Sequence, residues 1–219
     1  MFLVTGDQEA EETAMAAPLL TPEDIANEDG TLKLTPDFDK VSEPFFISHM
    51  PTNKVIHPVY GESNPPDNCR IVVYWSRPGH ALWEWIPLKD YPGYGVIRHR
   101  DSKAYLRPEG GSAAPASGTY IVVNRELKFA SVFTMAEDLK AIKHYSGLTM
   151  WPSGKVVEPE DHTKIQLYDK TGTASNFNTL DTDLNVLDVH ASKISGGSWE
   201  MVFSVFKPKA QFTKTITYK

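Results

Sequence analysis

Arg107, Gly110, Gly111 and Glu126 have the residue types and the spacing that suit ligand binding. The arginine and the glycines stand in "LRPEGG", and Glu126 follows the next apolar run, "IVVN". A turn accounts for Pro108 and the glycines by itself, since it needs a fixed φ and then a residue that tolerates positive φ. Turn geometry does not account for the arginine and the glutamate. A polar pair beside a rim of glycine amides is a binding arrangement.

Catalytic motifs are missing from the sequence, which contains no HExxH, GxSxG, Walker loop or Cys/His nucleophile pattern. Cys69, the single cysteine, lies in a variable loop and is interpreted as a buried or idle thiol. His57 with Glu62, and His162 with its two acidic neighbours, are loose clusters of the kind that protein surfaces often carry. We therefore expect no enzyme, no metal and no other cofactor.

Composition narrows the class of partner. The 219 residues carry a net charge of −6, so there is no basic face for the phosphate backbone of a nucleic acid. The first apolar run has only four residues before Gly6 and Asp7, too few for a signal peptide, and no later run is long enough to span a bilayer. We expect a soluble protein, either cytoplasmic or secreted by a non-classical route.

The candidate residues lie in a sequence that contains three segments similar to one another, and these segments must supply the strands that position them. Their markers are three histidines, three prolines and three isoleucines: His49, His99, His144, Pro58, Pro108, Pro152, Ile71, Ile121 and Ile165. Each proline precedes its isoleucine by 13 residues. Each segment contains apolar runs for four short strands, and three such units predict an all-β, twelve-stranded β-trefoil rather than a propeller. The histidines are interpreted as structural partners of a turn carbonyl.

The units resemble those of the MytiLec-type mussel lectins, β-trefoils with a His-Pro-x-Gly-Gly motif before a Pro/Asn-rich loop. The matching text is "KVIHPVYGESNPPDNCRIVV", "AYLRPEGGSAAPASGTYIVV" and, more weakly, "LTMWPSGKVVEPEDHTKIQL", within about residues 45 to 181. The resemblance implies one galactose-type sugar per repeat. The motif His and Gly amides would lie on one side, and an Asp-x-His pair after the third strand on the other.

Carried over residue by residue, this pattern gives twelve candidate carbohydrate-binding residues. They are His57, Gly61, Ser76 and His80 in the first unit; Arg107, Gly110, Gly111, Glu126 and Lys128 in the second; and Trp151, Gly154 and Asp169 in the third. The second unit keeps both glycines and an acid, whereas the third departs most from the motif. Of the tryptophans, we expect Trp151 to be exposed and Trp83 and Trp85 to lie on a half-buried strand.

The predicted domains are an acidic arm at 1–43, the β-trefoil at 44–181 and a β-rich extension at 182–219. The arm carries a charge of −9 and is expected to be a solvated tail with one short helix capped by Thr21, the alternative being a docking segment. The extension alternates apolar and polar residues, with turns at Gly196–Gly197 and Pro208. It is expected to lie outside the barrel, either as the start of an aerolysin-like pore-forming module or as a small side sheet with the arm.

The resemblance implies a carbohydrate-binding lectin whose partners are galactose-terminated glycolipids or glycoproteins at a cell surface. Avidity would then require several sites or several copies of the protein, including a homo-oligomer. Arg107 in place of the motif His predicts a shift towards sialylated or sulfated galactosides, held by bidentate contact. Glu126 opposes that shift unless it pairs with the arginine. The alternative is a degenerate β-trefoil that has lost sugar binding and serves protein interaction or inhibition.

Overall fold

The computed structural model describes residues 35–89, 91–135, 141–193 and 199–205, together with Leu20, Thr21, Asp24, Asn27 and Lys33. The described ranges are all-β, with short 3-10 turns between strands. No helix within them combines the length and the apolar character that crossing a bilayer requires.

The strands form three units of four and one further pair. The first unit contains β1 (Phe45–His49), β2 (Lys54–Pro58), β3 (Cys69–Tyr74) and β4 (Leu82–Leu88). The second contains β5 (Tyr91–His99), β6 (Tyr105–Pro108), β7 (Ile121–Asn124) and β8 (Val132–Thr134). The third contains β9 (Lys143–His144), β10 (Thr149–Pro152), β11 (Ile165–Tyr168) and β12 (Phe177–Leu180), and the pair is β13 (Leu187–Lys193) with β14 (Trp199–Val205).

The second and third strands of every unit form an antiparallel hairpin with the same register. Pro58 pairs with Ile71, Pro108 with Ile121 and Pro152 with Ile165. The constant spacing of 13 residues in the sequence is therefore the length of one hairpin loop, and the prediction of three equivalent hairpins is confirmed.

The first and fourth strands make a second layer of pairing. Within one sheet β9, β8, β5, β4 and β1 lie side by side in that order, and β12 pairs with β1. The last unit is thus joined back to the first. Apolar side chains from all three units fill the enclosed space, among them Trp83, Phe133 and Phe177 at equivalent positions of the three units. Both Trp83 and Trp85 are fully buried, so the prediction of a half-buried strand was too weak.

The three repeat histidines hold neighbouring units together. His49 Nε2 lies 3.1 Å from the carbonyl oxygen of Ala174, His99 Nε2 2.6 Å from that of His80, and His144 Nε2 3.2 Å from that of Ala130. Each of these carbonyls belongs to the 3-10 turn of the preceding unit, with the third unit preceding the first. We call His49, His99 and His144 together the histidine ring. Their hydrogen bonds confirm the interpretation of the three residues as structural partners of a turn carbonyl.

Burial lowers the pKa of each histidine in this ring, and that of His144 falls to about 3. Nδ1 faces a hydroxyl in every case, Thr52 for the first, Ser102 for the second and Ser146 for the third. The backbone N–H groups of Ser102 and Ser146 also donate to Nδ1 at 3.4 and 3.3 Å. The ring nitrogen that carries the proton is therefore Nε2, and it donates to the carbonyl of the neighbouring unit.

The described end of the N-terminal arm docks along β4. Ser42 N donates to Trp85 O and Trp85 N donates to Ser42 Oγ, both at 2.9 Å, and Pro36 bridges Leu88. Leu20 is buried in an apolar cluster with Ile86 and other residues of the barrel wall. The expectation of a solvated tail is wrong for these residues, because their apolar side chains and edge amides find partners on β4. Asp24 is helical and accepts hydrogen bonds from Thr21, in agreement with a helix start there.

The extension contains a regular antiparallel pair, in which all seven residues of β13 face residues of β14. It forms a sheet separate from the twelve-stranded one, although Leu187 packs against the main core. The predicted β-rich character is confirmed for 187–193 and 199–205. The predicted turns at Gly196–Gly197 and Pro208 lie outside the described residues.

Candidate functional site

Each unit carries its candidate site around the loop that follows the second strand. A 3-10 turn starts after the proline, and its middle residue has positive φ: 75° at Tyr60, 82° at Gly110 and 80° at Gly154. The next residue is also left-handed, with φ of 64° at Gly61, 68° at Gly111 and 56° at Lys155. Glycine adopts this conformation without strain, whereas Tyr60 and Lys155 do not.

The rest of each loop reaches into the following unit. Asn68 N donates to Val123 O, Gly118 N to Leu167 O and His162 N to Val73 O, at 2.8, 2.6 and 2.9 Å. All three donors have positive φ and occupy the same position of their loops. Every candidate site is therefore assembled from two units, because the loop of the preceding unit forms one of its walls.

The second unit brings its predicted residues together. Arg107 leaves β6 and packs against Gly111, with its Cζ 3.6 Å from the point where a Cβ on that glycine would stand. Arg107 Nη1 lies 3.5 Å from the Glu126 carboxylate, and Lys128 Nζ lies 3.1 Å from the other carboxylate oxygen. Two cations, one carboxylate and the glycine rim thus form a single cluster, which we call the second-unit site.

Charge pairing sets the protonation state of Glu126 in this site. The hydrogen bond from Lys128 and, to a smaller extent, Arg107 hold the pKa of the Glu126 carboxyl below its usual value. Its side chain is 60% exposed, whereas that of Arg107 is 8% exposed. Glu126 is therefore an ionised acceptor that solvent can reach. The predicted bidentate contact from Arg107 to a ligand is opposed by its burial and by its bonds to Glu126 and Asn68, and Lys128 is the accessible cation.

Two asparagines complete the second-unit site. Asn68 Oδ1 accepts from Arg107 Nη2 at 3.3 Å and from Asn124 Nδ2 at 3.2 Å, and Asn124 Oδ1 accepts from Glu126 N at 2.8 Å. Asn68 belongs to the loop of the first unit, 39 residues from Arg107 in sequence. Sequence reasoning missed both residues. Only the constant loop position shared with Gly118 and His162 could have suggested that Asn68 reaches the next unit.

The first unit replaces the charged cluster with aromatic rings. His57 is almost completely buried, and its Nδ1 lies 2.6 Å from Pro58 O, so this nitrogen carries the proton and Nε2 is the acceptor. Nε2 has no hydrogen-bond partner among the described residues. Burial lowers the pKa of His57. His80 lies over Gly61, its Nε2 2.9 Å from the point where a Cβ would stand, and Ser76 is half-buried.

The pocket of the third unit is filled by the side chain of Trp151. Trp151 is 7% exposed, and its Cη2 lies 2.9 Å from the position of a Cβ on Gly172. Its Nε1 donates to Lys170 O at 2.8 Å, which corresponds to the contact of Arg107 with Glu126 O. The expectation that Trp151 is exposed is wrong, because the indole fits the space that the absence of a side chain on Gly172 leaves. Of the four tryptophans between residues 75 and 151, the exposed one is Trp75, which is 66% exposed.

Asp169 does not occupy the acidic position of its unit. The third strands end at Tyr74, Asn124 and Tyr168, so that Glu126 corresponds to Ser76 and Lys170. Asp169 corresponds to Trp75 and Arg125. The third unit therefore presents lysine where the second presents a carboxylate, and its Gly154 is the remaining glycine of the motif pair.

No cluster of three or more His, Cys, Asp or Glu side chains in the described ranges has the geometry to hold a metal ion. Cys69 is buried as the first residue of β3, not in the loop, and burial raises the pKa of its thiol.

Comparisons with known proteins give a match over the part of the chain that contains the three units. The family model described as an α-D-galactose-binding lectin, MytiLec, matches residues 45–182. Among curated proteins, none matches the chain.

Several solved structures share the fold at low sequence identity. The designed threefold-symmetric protein ThreeFoil has a TM-score of 0.55 and 15% identity, covering 63% of this chain and 98% of its own. The Rhizoctonia solani agglutinin has a TM-score of 0.53 and 15% identity, covering 64% of this chain and 95% of its own. An exo-β-1,3-galactanase from Clostridium thermocellum, with a TM-score of 0.51 and 16% identity, covers 63% of this chain but 30% of its own. ThreeFoil and the agglutinin are proteins of β-trefoil type.

Proposed function

Because the chain belongs to the MytiLec family of α-D-galactose-binding lectins, we propose that it binds galactose-type glycans, without catalysis, through the second-unit site. The observation that carries this proposal is the convergence of Gly110, Gly111, Arg107, Glu126 and Lys128 on one rim. These residues come from two separate stretches of the chain.

The chemistry of the site suits a neutral sugar. Glu126 is ionised and exposed, and its two oxygens can accept hydrogen bonds from neighbouring hydroxyl groups. Gly110 has open space where a side chain would stand, so a ligand can approach the backbone of this turn. Lys128 contributes donors at the edge of the site and keeps the carboxylate in place.

The fold that positions this site is proposed to be a β-trefoil at 44–181, with the arm at 1–43 and the extension at 182–219 as separate regions. Three hairpins of equal register and the histidine ring support this assignment. The galactanase matches over a small part of its own chain, so its catalytic activity does not transfer.

One site of this kind gives weak binding. A net hydrogen bond contributes about 1 kcal/mol, and millimolar affinity corresponds to about 4 kcal/mol. Glycolipids or glycoproteins displayed at high density on a cell surface, or a homo-oligomer of the chain, would supply the avidity that one site lacks.

Acidic galactosides remain a proposed ligand class, but the cation proposed to contact them is now Lys128. The second-unit site carries two cations against one carboxylate, and Lys128 is the cation that solvent reaches. A sialylated or sulfated galactoside would therefore contact Lys128 rather than Arg107. Because Glu126 pairs with Arg107, its negative charge is compensated. The glutamate therefore does not oppose an acidic ligand.

The test is binding of neutral and sialylated galactosides to the wild type, Glu126→Ala and Lys128→Ala. We expect Glu126→Ala to weaken binding of the neutral galactoside by about tenfold or more, since hydrogen bonds to a charged acceptor are stronger than those to a neutral one. Lys128→Ala should weaken the sialylated ligand more than the neutral one. Unchanged affinity in both variants would exclude the second-unit site.

The alternative function is a protein-interaction or inhibitor module that has lost sugar binding. The indole of Trp151 in the third unit favours it, because that pocket is already closed. A glycan array on which the wild type binds no galactoside would favour this alternative. Attachment to a pore-forming module stays a proposal as well, supported by the strand pair β13–β14 that follows the third unit.

A further inference from the structure

From the wall that the first unit supplies to the second-unit site, we infer that Asn68 determines the ligand specificity of this site by holding Arg107 away from the ligand. The inference rests on the proposed function, because it names what sets the balance between neutral and acidic galactosides at the same site. Asn68 is then a positioning residue that belongs to one unit and acts through a side chain of the next.

The first observation is that the guanidinium of Arg107 is buried but loosely held. Its Nη2 lies 3.3 Å from Asn68 Oδ1, and its Nη1 lies 3.5 Å from both the carbonyl oxygen and the carboxylate of Glu126. Its Nε has no partner among the described residues. Charge-assisted hydrogen bonds of arginine are usually about 2.7–2.9 Å long. A guanidinium held in this way retains donors for a further acceptor.

The charges of the second-unit site do not cancel. The carboxylate of Glu126 is shared between Arg107 and Lys128, whose Nζ lies 3.1 Å from the second oxygen. Two cations against one carboxylate leave the site positive. An acidic ligand is thus attracted to this site, and the contact that it makes depends on which cation it can reach.

The second observation is a chain of amide groups whose direction is fixed. An arginine only donates, so the atom of Asn68 that faces Arg107 is the carbonyl oxygen Oδ1. The same oxygen accepts from Asn124 Nδ2 at 3.2 Å, and Asn124 Oδ1 accepts from Glu126 N at 2.8 Å. The amide of Asn68 therefore contacts the arginine directly and supports the backbone of the glutamate through Asn124.

The backbone of Asn68 is held independently of its side chain. Its N–H donates to Val123 O at 2.8 Å. Its φ of 64° is a left-handed conformation, which asparagine and glycine adopt more readily than most residues. Asn68 is exposed, whereas Arg107 is buried. Removal of the amide should therefore uncover Nη2 of Arg107 while the loop keeps its course.

The third observation is that the amide occurs beside the pocket that contains a guanidinium. The corresponding loop position is Gly118 beside the third-unit pocket and His162 beside the first-unit pocket. Those pockets contain Trp151 and His57 in place of an arginine. Gly118 has no side chain to offer, and the ring of His162 lies 4.8 Å from that of Tyr74. Asparagine at this loop position thus accompanies the arginine.

These contacts predict opposite effects for two substitutions of Asn68. Without the amide, Nη2 of Arg107 loses its acceptor, and the sulfate group of a ligand would supply another in the bidentate geometry that suits arginine. A carboxylate in place of the amide would hold the arginine by a charged bond and would cancel the positive charge of the site. The first change favours acidic ligands, and the second disfavours them.

The experiment measures the affinities of methyl α-D-galactopyranoside and its 6-sulfate by NMR titration, for the wild type, Asn68→Gly and Asn68→Asp. Glycine and aspartate both suit the left-handed backbone at residue 68. We expect Asn68→Gly to raise the ratio of sulfate affinity to neutral affinity by roughly fivefold, as for one hydrogen bond of ordinary strength. Asn68→Asp should lower this ratio.

Asn53→Gly is the matched control. Asn53 also has a left-handed backbone, with φ of 55°, but it lies in the turn between β1 and β2, where its carbonyl oxygen accepts from Arg77. The same replacement at this position should leave the affinity ratio unchanged.

Arg107→Met tests whether Asn68 acts through the arginine. Methionine keeps an unbranched chain in the buried position and removes the guanidinium. In this background Asn68→Gly should no longer change the affinity ratio. A change that persists there would show that Asn68 acts on the ligand itself, and it would overturn the positioning role.

The outcomes separate this inference from the proposed function. If the wild type binds the neutral galactoside but Asn68→Gly does not raise the affinity ratio, or neither protein binds the sulfate, the inference is overturned and the proposed function stands. Changes of the ratio in the same direction in Asn68→Gly and Asn68→Asp also overturn the inference. No binding of the galactoside by the wild type overturns both.

Discussion

The inner ring of the molecule repeats itself, whereas the three outer pockets have diverged. His49, His99 and His144 make the same hydrogen bond to the neighbouring unit. The equivalent pocket positions hold His57, Arg107 and Trp151, whose side chains have nothing in common. Contacts that close the fold depend on all three units at once, so a change in one unit is opposed by the other two. A pocket contributes to binding alone and can change alone.

Trp151→Ala should produce the largest effect on stability. The indole is buried and fills the space above Gly172, so truncation should lower the free energy of unfolding by about 3–5 kcal/mol. Galactoside binding at the second-unit site should not change. A loss of stability below about 1 kcal/mol, measured by urea denaturation, would show that the third pocket is not filled in the way described.

The histidine ring should give the next largest effect, and the same effect three times. Replacing His49, His99 or His144 by Phe leaves the partner carbonyl without a donor, at a cost of about 1–3 kcal/mol. Similar losses in the three single variants would sharpen the contrast with the pockets. Losses that differ severalfold would show that the units are not equivalent in their closure.

Acid should destabilise the protein through the same ring. The unfolded chain binds protons on these histidines as the pH falls below about 6.5, but the folded chain does not, because burial lowers their pKa values. The buried histidines therefore make their full contribution to the free energy of unfolding above this pH, and that contribution declines below it. His144, with a pKa of about 3, should by itself account for about 2 kcal/mol lost between pH 6.5 and pH 5. Unfolding curves at the two pH values, compared with those of His144→Phe, measure this contribution.

Glu126→Gln should give the smallest effect on stability. The carboxylate is exposed and its ion pairs lie at the surface, where solvent screens them, so the free energy of unfolding should hardly change. Binding of methyl α-D-galactopyranoside should nevertheless weaken. A variant that unfolds much more easily would place Glu126 among the residues that hold the units together.

The repeated part of the molecule was predictable from sequence and the divergent part was not. Proline and isoleucine 13 residues apart predict hairpins whose register the structure confirms, because hairpin length is fixed within a chain segment. The opposite exposures of Trp75 and Trp151 could not be read from residue type. The burial of Trp151 depends on Gly172, which is distant from it in sequence. The contribution of Asn68 to the second-unit site escaped for the same reason.

The loops that link each unit to the next form a closed cycle, in which the third unit grips the first as the first grips the second. A cycle has no first member. The order of the units along the gene is thus not recorded in these contacts, and a circular permutant that begins with the second unit would present the same set of neighbours. A single unit could not have formed the hydrogen bonds of its own loop, because each loop bonds to the following unit. The smallest self-contained ancestor of such a protein is therefore a homotrimer of one unit.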